Sequence, residues 1–333
     1  MPLFVCPSPS FTALAQALGF SLRTDDPTIS PTPLAVLRAW AEGAREAVCL
    51  VATQEELWSL RPLALFAASF GVPLRSGTFR EGLPARGGLR ASEWRTAQEG
   101  ALLFVWNPTE APVTGSVFPA FENQTLAAGE VRIWAHDFPL GLSESYLGAY
   151  AGLVKSELAL LTAHIRPDPF SGARVFVTGK PGERGEVALF NAGPGEVVEV
   201  AFSDTPAVFA VGVSQVIAVP EALAPQLFVL NETTWIGPEW RLDPAGSLHQ
   251  QTALAKVALI RGDEELRSAQ LRFEEGTPES VWLNGVPITG SDITLLPGEN
   301  QLMVRGEHGP VFIVPDGACY LMEITQWAAQ SSQ

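Results

Sequence analysis

The stretch Val281-Trp282-Leu283-Asn284-Gly285-Val286-Pro287-Ile288, followed by Leu296-Pro297-Gly298-Glu299-Asn300-Gln301-Leu302, decides the fold of the C-terminal region. Two apolar runs separated by Asn-Gly predict a β-hairpin, because a type I′ turn needs φ > 0 at both central residues. Strand alternation places Val281 and Leu283 on one face and Trp282 and Asn284 on the other. With the valine and leucine turned to a core, Trp282 either meets solvent or covers a neighbouring module. Pro-Gly-Glu-Asn then turns the chain into a strand over 301–305. Further short strands over 254–260, 269–273, 311–314 and 320–325, with Gly/Pro turns between them, predict a sandwich or jelly roll across residues 241–333.

Short strands continue toward the N-terminus. Those expected at 174–178, 185–191, 197–202, 208–213, 214–219 and 226–230 make a β-sandwich module of residues 142–240. A short helix over 144–153, extending toward 161, precedes them. Lys180-Pro181-Gly182-Glu183-Arg184-Gly185 reads as a hairpin loop and lacks the Gly-Lys-Ser/Thr ending of a phosphate loop. Residues 83–141 form a small β module with strands at 101–106, 113–118 and 131–135, a turn at Asn107-Pro108-Thr109, and a linker-like segment over 82–88.

Residues 1–82 differ. An apolar run at 3–6, a helix over 11–18, a strand at 21–25 and a helix over 34–41 begun near Thr32 or Ser30 follow one another. A strand at 47–52 and a helix over 54–70 come next, with Thr53 and Glu56 spaced as a capping box, and 72–75 is a last strand. This alternation predicts a small parallel sheet in flavodoxin-like order. The expected fold class is multidomain and mainly β: a small N-terminal parallel α/β domain, antiparallel β-sandwich modules and a C-terminal jelly roll.

Hydrophobic content of 47% against 17% charged residues describes a globular chain of 333 residues, long enough for several cores. The formal net charge of -15 repels duplexes and anionic bilayers, so neither nucleic acid nor membrane is expected as a partner. No eighteen apolar residues run together. The charge is neutral toward an uncharged sugar. Cys6, Cys49 and Cys319 are far apart and form no CxxC or Cys/His cluster, so neither a disulfide framework nor a metal site is indicated. A cytoplasmic location is expected, since the N-terminus shows no basic n-region or adequate apolar h-region. Three lysines among 21 basic residues, with abundant Ala, Gly and Pro, point to GC-rich, bacterial coding.

Several segments taken together resemble a known architecture. Residues 102–107, with Val131-Arg132-Ile133-Trp134, are similar to an accessory β domain. Residues 146–161 are similar to the connector after it. Gly182-Glu183-Arg184-Gly185-Glu186-Val187 and Phe228-Val229-Leu230-Asn231-Glu232 are similar to the next β region. Residues 281–285 and 297–300 are similar to a terminal galactose-binding-like jelly roll. Over about residues 85–327 the chain thus resembles the non-catalytic C-terminal region of bacterial β-galactosidase-type glycoside hydrolases, family 35-like.

Such enzymes act through a (β/α)₈ barrel, typically ~250 residues, with an acid and a nucleophile at strand C-termini. No catalytic glutamate of that barrel maps onto this chain. The resemblance therefore implies a non-catalytic accessory protein in a carbohydrate context, partnered by a separate barrel chain. The alternatives it leaves are a stand-alone carbohydrate-binding protein and a glycoside hydrolase component active only with a separate catalytic chain. No cofactor is implied.

Paired carboxylates are the natural place to seek glycosidase chemistry. Asp25-Asp26, with Ser10, lie where α/β folds bind ligands, but a polar strand-to-helix loop explains them as well. Glu55-Glu56 fit helix capping and the macrodipole. Asp263-Glu264-Glu265 and Glu274-Glu275 read as solvated hairpin loops. His136, His164, His249 and His308 show no metal spacing. His136 and Asp137, adjacent on a strand, are expected to point to opposite faces.

Nine tryptophans remain. An indole can stack on the apolar face of a pyranose while neighbouring amides hold its hydroxyls. Trp235, Trp240, Trp282 and Asn284 are the carbohydrate-binding candidates, and packing between modules is the competing use of the same rings.

Overall fold

The computed structural model describes residues 3–7, 11–24, 28–71, 77–96, 100–117, 121–142, 149–156, 158–165, 172–190, 196–230, 233–262, 267–316, 322–324 and 326–329. Strand accounts for 53% and helix for 15%, so the chain is mainly β. It divides into two compact units. One comprises Met1–Cys6 and Gly19–Pro225, the other Pro7–Leu18 and Gln226–Gln333.

Helices α1 (Thr12–Ala17), α2 (Pro33–Ala41) and α3 (Gln54–Phe70) fall where expected. Thr32 caps α2 by accepting from Ala35 N, with Pro33 at the first helical position. Thr53 and Glu56 form the predicted capping box on α3. In the first unit, strands Leu3–Pro7, Ser21–Leu22 and Ala47–Val51 form a sheet in the order second, first, third, with the first two parallel. That is the start of the flavodoxin-like order. The fourth strand expected at 72–75 lies outside the described residues.

The centre of the first unit is a seven-stranded antiparallel sheet. Its order is Glu196–Ala201, Arg184–Phe190, Ala149–Ser156, Val131–Leu142, Ala101–Trp106, Arg90–Arg95, Thr78–Glu81. Every residue of Ala101–Trp106 is buried. A strand that is apolar on both faces needs two covers. On one face Ala91, Leu103, Val105 and Trp134 pack with Leu89 and with Val117 and Leu126 of a small three-stranded sheet. On the other face lie α2 and α3. Ser92 Oγ donates to Ala41 O at 2.6 Å and Trp94 Nε1 donates to Trp40 O at 2.9 Å. Ser92 thus supplies a donor to one of the last carbonyls of α2, while Trp94 adds a second donor to Trp40 O, which also accepts from Gly43 N at 3.2 Å. A further four-stranded sheet of Ala159–Ile165, Ala173–Gly179, Ser214–Pro220 and Ala207–Val211 sits beside α3, where Ser69 and Thr162 hydroxyls meet at 2.6 Å.

Several expectations change. Residues 149–153, expected as helix, form part of the strand Ala149–Ser156, paired on both sides within the large sheet. Apolar spacing there permits either period, and the strands on each side decide it. Residues 144–148 of that expected helix are not among those described. The linker-like 82–88 contains Ala85–Arg86, which pairs with Val113–Val117 in the covering sheet. The expected edges at 82/83 and 141/142 both fall inside the first unit, and one sheet runs through the second. His136 and Asp137 do meet, at 3.0 Å, because Asp137 adopts φ 47 and breaks the alternation.

The second unit holds the predicted sandwich. One sheet orders Val286–Pro287, Ser280–Leu283, Gly298–Arg305, Ala255–Gly262 and Ala328–Ala329; the other orders Asp292–Leu295, Arg267–Phe273, Val311–Pro315 and Met322–Glu323. From Ala255 to Pro315 the chain changes sheet at every connection except the Asn-Gly hairpin, the path of a jelly roll. Leu283, Leu302, Val304 and Ile260 face Leu271, Ile293, Leu295, Val311 and Ile313 across its core. Asn284 and Gly285 have φ 52 and 77, both positive as the turn requires.

Asn300 is wholly buried. Its Oδ1 accepts from Leu296 N at 2.8 Å and its Nδ2 donates to Leu296 O at 2.8 Å, closing the Pro-Gly-Glu-Asn turn upon itself. Asn284 Nδ2 adds a bond to Asn300 Oδ1 at 2.9 Å. Replacing Asn300 by Ala strands both backbone groups of Leu296, at about 1–3 kcal/mol for each buried group left unpaired. Asn300→Ala is expected to lower the stability of the second unit by roughly 2–4 kcal/mol, read as a fall in urea midpoint with unchanged slope. An unchanged midpoint contradicts this role.

Candidate functional site

A four-stranded antiparallel meander, Leu227–Leu230, Thr233–Ile236, Trp240–Leu242 and Leu248–Gln250, lies in the second unit with the sandwich. Its register places Phe228, Trp235, Arg241 and His249 on one face. Leu283 points into the sandwich core, so its neighbour Trp282 points out of it. The outward indole is then covered by the meander. Trp282 keeps only 2% of its surface, with Phe228 and Trp235 set edge-on at 5.8 Å and 5.9 Å. Edge-to-face arrangement at this distance is the favourable geometry for aromatic pairs.

The four residues chosen from sequence therefore do not form one surface. Trp282 is removed as a sugar platform, because both of its faces are buried, and it joins the meander to the sandwich. Trp235 is half-buried against it. Trp240 is half-buried on the opposite face of the meander, aligned with Ile236. Asn284 sits at the hairpin tip, with its Oδ1 accepting from Gln301 N at 2.8 Å and its Nδ2 committed to Asn300. Both ends of its amide are used in holding the turn. Asp25, Asp26 and Ser10 lie outside the described residues.

Asn284 nonetheless lines a cleft of about 280 Å³. Leu14 and Ala17 of α1 form one wall, and the hairpin with Thr289, Asp292 and Thr294 forms the other. The sequence predicts α1 as part of an N-terminal α/β domain, whereas it belongs to the second unit and forms this wall. No local signal in α1 marks it, since an amphipathic turn does not name its partner. The exposed hydroxyls of Thr289 and Thr294 and the Asp292 carboxylate, which accepts from Gln270 Nε2 at 3.3 Å, suit an uncharged polyol more than an anion.

The meander also carries an acid–imidazole pair. Asp243 Oδ1 accepts from Gly246 N at 2.7 Å and Ser247 N at 2.9 Å, and Oδ2 lies 2.9 Å from His249 Nε2. These bonds, the one to His249 foremost, hold the Asp243 carboxyl down at about 2, against the opposing effect of burial. The arrangement closes a turn on the edge of the tryptophan face. Among the described residues, no group of three or more His, Cys, Asp and Glu is placed to hold a metal ion, and no helix is long and apolar enough to cross a membrane.

A depressed folded value means that the stabilisation is complete above the unfolded value of 3.8 and is lost as pH falls toward about 2. Asp243→Asn is expected to cost about 1 kcal/mol near neutral pH, since the amide still accepts but without charge. The difference from the natural chain should shrink across that acid window in urea titrations. A difference that stays constant down to the lowest pH contradicts the assignment.

Set beside known proteins, the chain matches no family model and no curated sequence.

Proposed function

We propose that this chain is a non-catalytic, carbohydrate-associated accessory protein of β-galactosidase type, working beside a separate (β/α)₈ barrel chain. The observation that carries the reading is the C-terminal sandwich, with its Asn-Gly hairpin and Pro-Gly-Glu-Asn turn tied together by Asn284 and Asn300. These are the segments through which the sequence resembles the terminal module of such enzymes. The use of Trp282 to seal one β layer onto another supports a supporting role over one in which its ring faces ligand.

A second reading, direct carbohydrate binding by the chain alone, is favoured by the cleft between α1 and the hairpin, with Thr289, Asp292 and Thr294 on its rim. The two separate experimentally. The full chain is expected to co-elute on size exclusion with a β-galactosidase-type barrel protein encoded beside it, and separate elution counts against the accessory role. Titration with galactosides, followed by tryptophan emission, is expected to give a saturable change weakened by Asp292→Ala if the second reading holds. A flat response removes that reading. Release of monosaccharide from an aryl galactoside by the purified chain overturns the non-catalytic assignment common to both.

A further inference from the structure

We propose that the first unit binds a small, largely apolar molecule bearing one oxygen acceptor, in a cavity of about 510 Å³ beside α3. The space lies within the range of sites that enclose a single small ligand. Its walls are apolar: Leu37 of α2, Leu63 and Phe66 of α3, Ile133 of the large sheet, and Leu160 and Leu161. The two leucines reach it through a β-bulge. Leu160 pairs with Val177 and Thr162 with Phe176, leaving Leu161 as the extra residue. In a regular strand adjacent side chains diverge, whereas a bulge re-aims one of them and is common beside binding sites.

The polar groups at this cavity narrow the occupant. Glu130 Oε1 accepts from Arg132 Nε at 2.7 Å, and Glu130 Oε2 accepts from Ala127 N at 2.6 Å. Glu183 Oε2 accepts from Lys180 N at 3.0 Å. Glu130 is thus paired with the Arg132 guanidinium, and Glu183 is held by a backbone N–H. The Lys180 side chain stands exposed at the mouth, and no side-chain partner is found for it among the described residues. An ammonium donates and cannot accept, so at Lys180 the occupant supplies an acceptor. Glu221, also at the mouth, opposes a multiply charged anion. A saccharide fits poorly, because leucine and phenylalanine walls leave its hydroxyls unpaired. The site is thus separate from any carbohydrate role of the second unit.

The test is titration of the full chain with N-phenyl-1-naphthylamine, a neutral apolar fluorophore. One saturable site is expected, from which decanoate displaces the dye. Leu63→Trp fills the wall, and Ala159→Phe, at an exposed lining position, narrows the mouth. Each is expected to weaken the dye by roughly tenfold or more while keeping the thermal transition of the natural chain. Lys180→Gln is expected to weaken decanoate and leave the dye unaffected. Non-saturating emission, or equal dye affinity in the natural chain and both filled variants, overturns the site. Unchanged decanoate competition in Lys180→Gln overturns the placing of the acceptor at that lysine.

Discussion

A strand that carries apolar side chains on both faces cannot rest on one layer. Ala101–Trp106 is such a strand, and the first unit is built around that constraint. Leaving one face open would return Leu103 and Val105 to water, at roughly 1.5–3 kcal/mol for each side chain. The small sheet of Ala85–Arg86, Val113–Val117 and Phe121–Leu126 covers that side, and α2 lies on the other. α2 is also tied polar group to polar group, since Ser92 and Trp94 reach carbonyls at its end. Apolar burial sets the layering, and these two hydrogen bonds set where the helix end lies on the sheet.

The same constraint governs the second unit at smaller scale. Trp282 and Leu283 are neighbours and both are buried, so their strand also has two covers. Leu283 belongs to the sandwich core, and Trp282 is closed off by Phe228 and Trp235 of the meander. An indole used in this way holds layers together and has no face left for a ligand. The open polar surface of this unit lies instead at the cleft beside α1, where the rim is threonine and aspartate. The residues that hold the layers together and those that rim the cleft are therefore different.

Local chemistry was legible in the sequence wherever a residue acts on its near neighbours. Asn284-Gly285 gave the hairpin because two positive φ values are needed within it. Thr53 and Glu56 gave the start of α3 because the capping box closes within one turn. Alternation placed Trp282 opposite Leu283. What could not be read depends on partners distant in the chain. Residues 149–153 carry spacing compatible with a helix and become strand because Val131–Leu142 and Arg184–Phe190 pair with them. Residues 83–141 and 142–240, expected as separate modules, are joined by that pairing. The cover over Trp282 comes from residues 228 and 235, and nothing in the hairpin specifies it. The bulge at Leu161, which turns two leucines to one cavity, has no glycine or proline to announce it.

Amide hydrogen exchange tests the layered account most directly, since protection follows the free energy of opening each segment. Ala101–Trp106 and Ser280–Leu283, each covered on both faces, are predicted to exchange in the slowest class of their units. The sheet-edge strand Glu196–Ala201, with Val197 exposed, is predicted to exchange far sooner. Exchange of Ala101–Trp106 as fast as that edge would contradict the claim that a doubly covered strand anchors the fold.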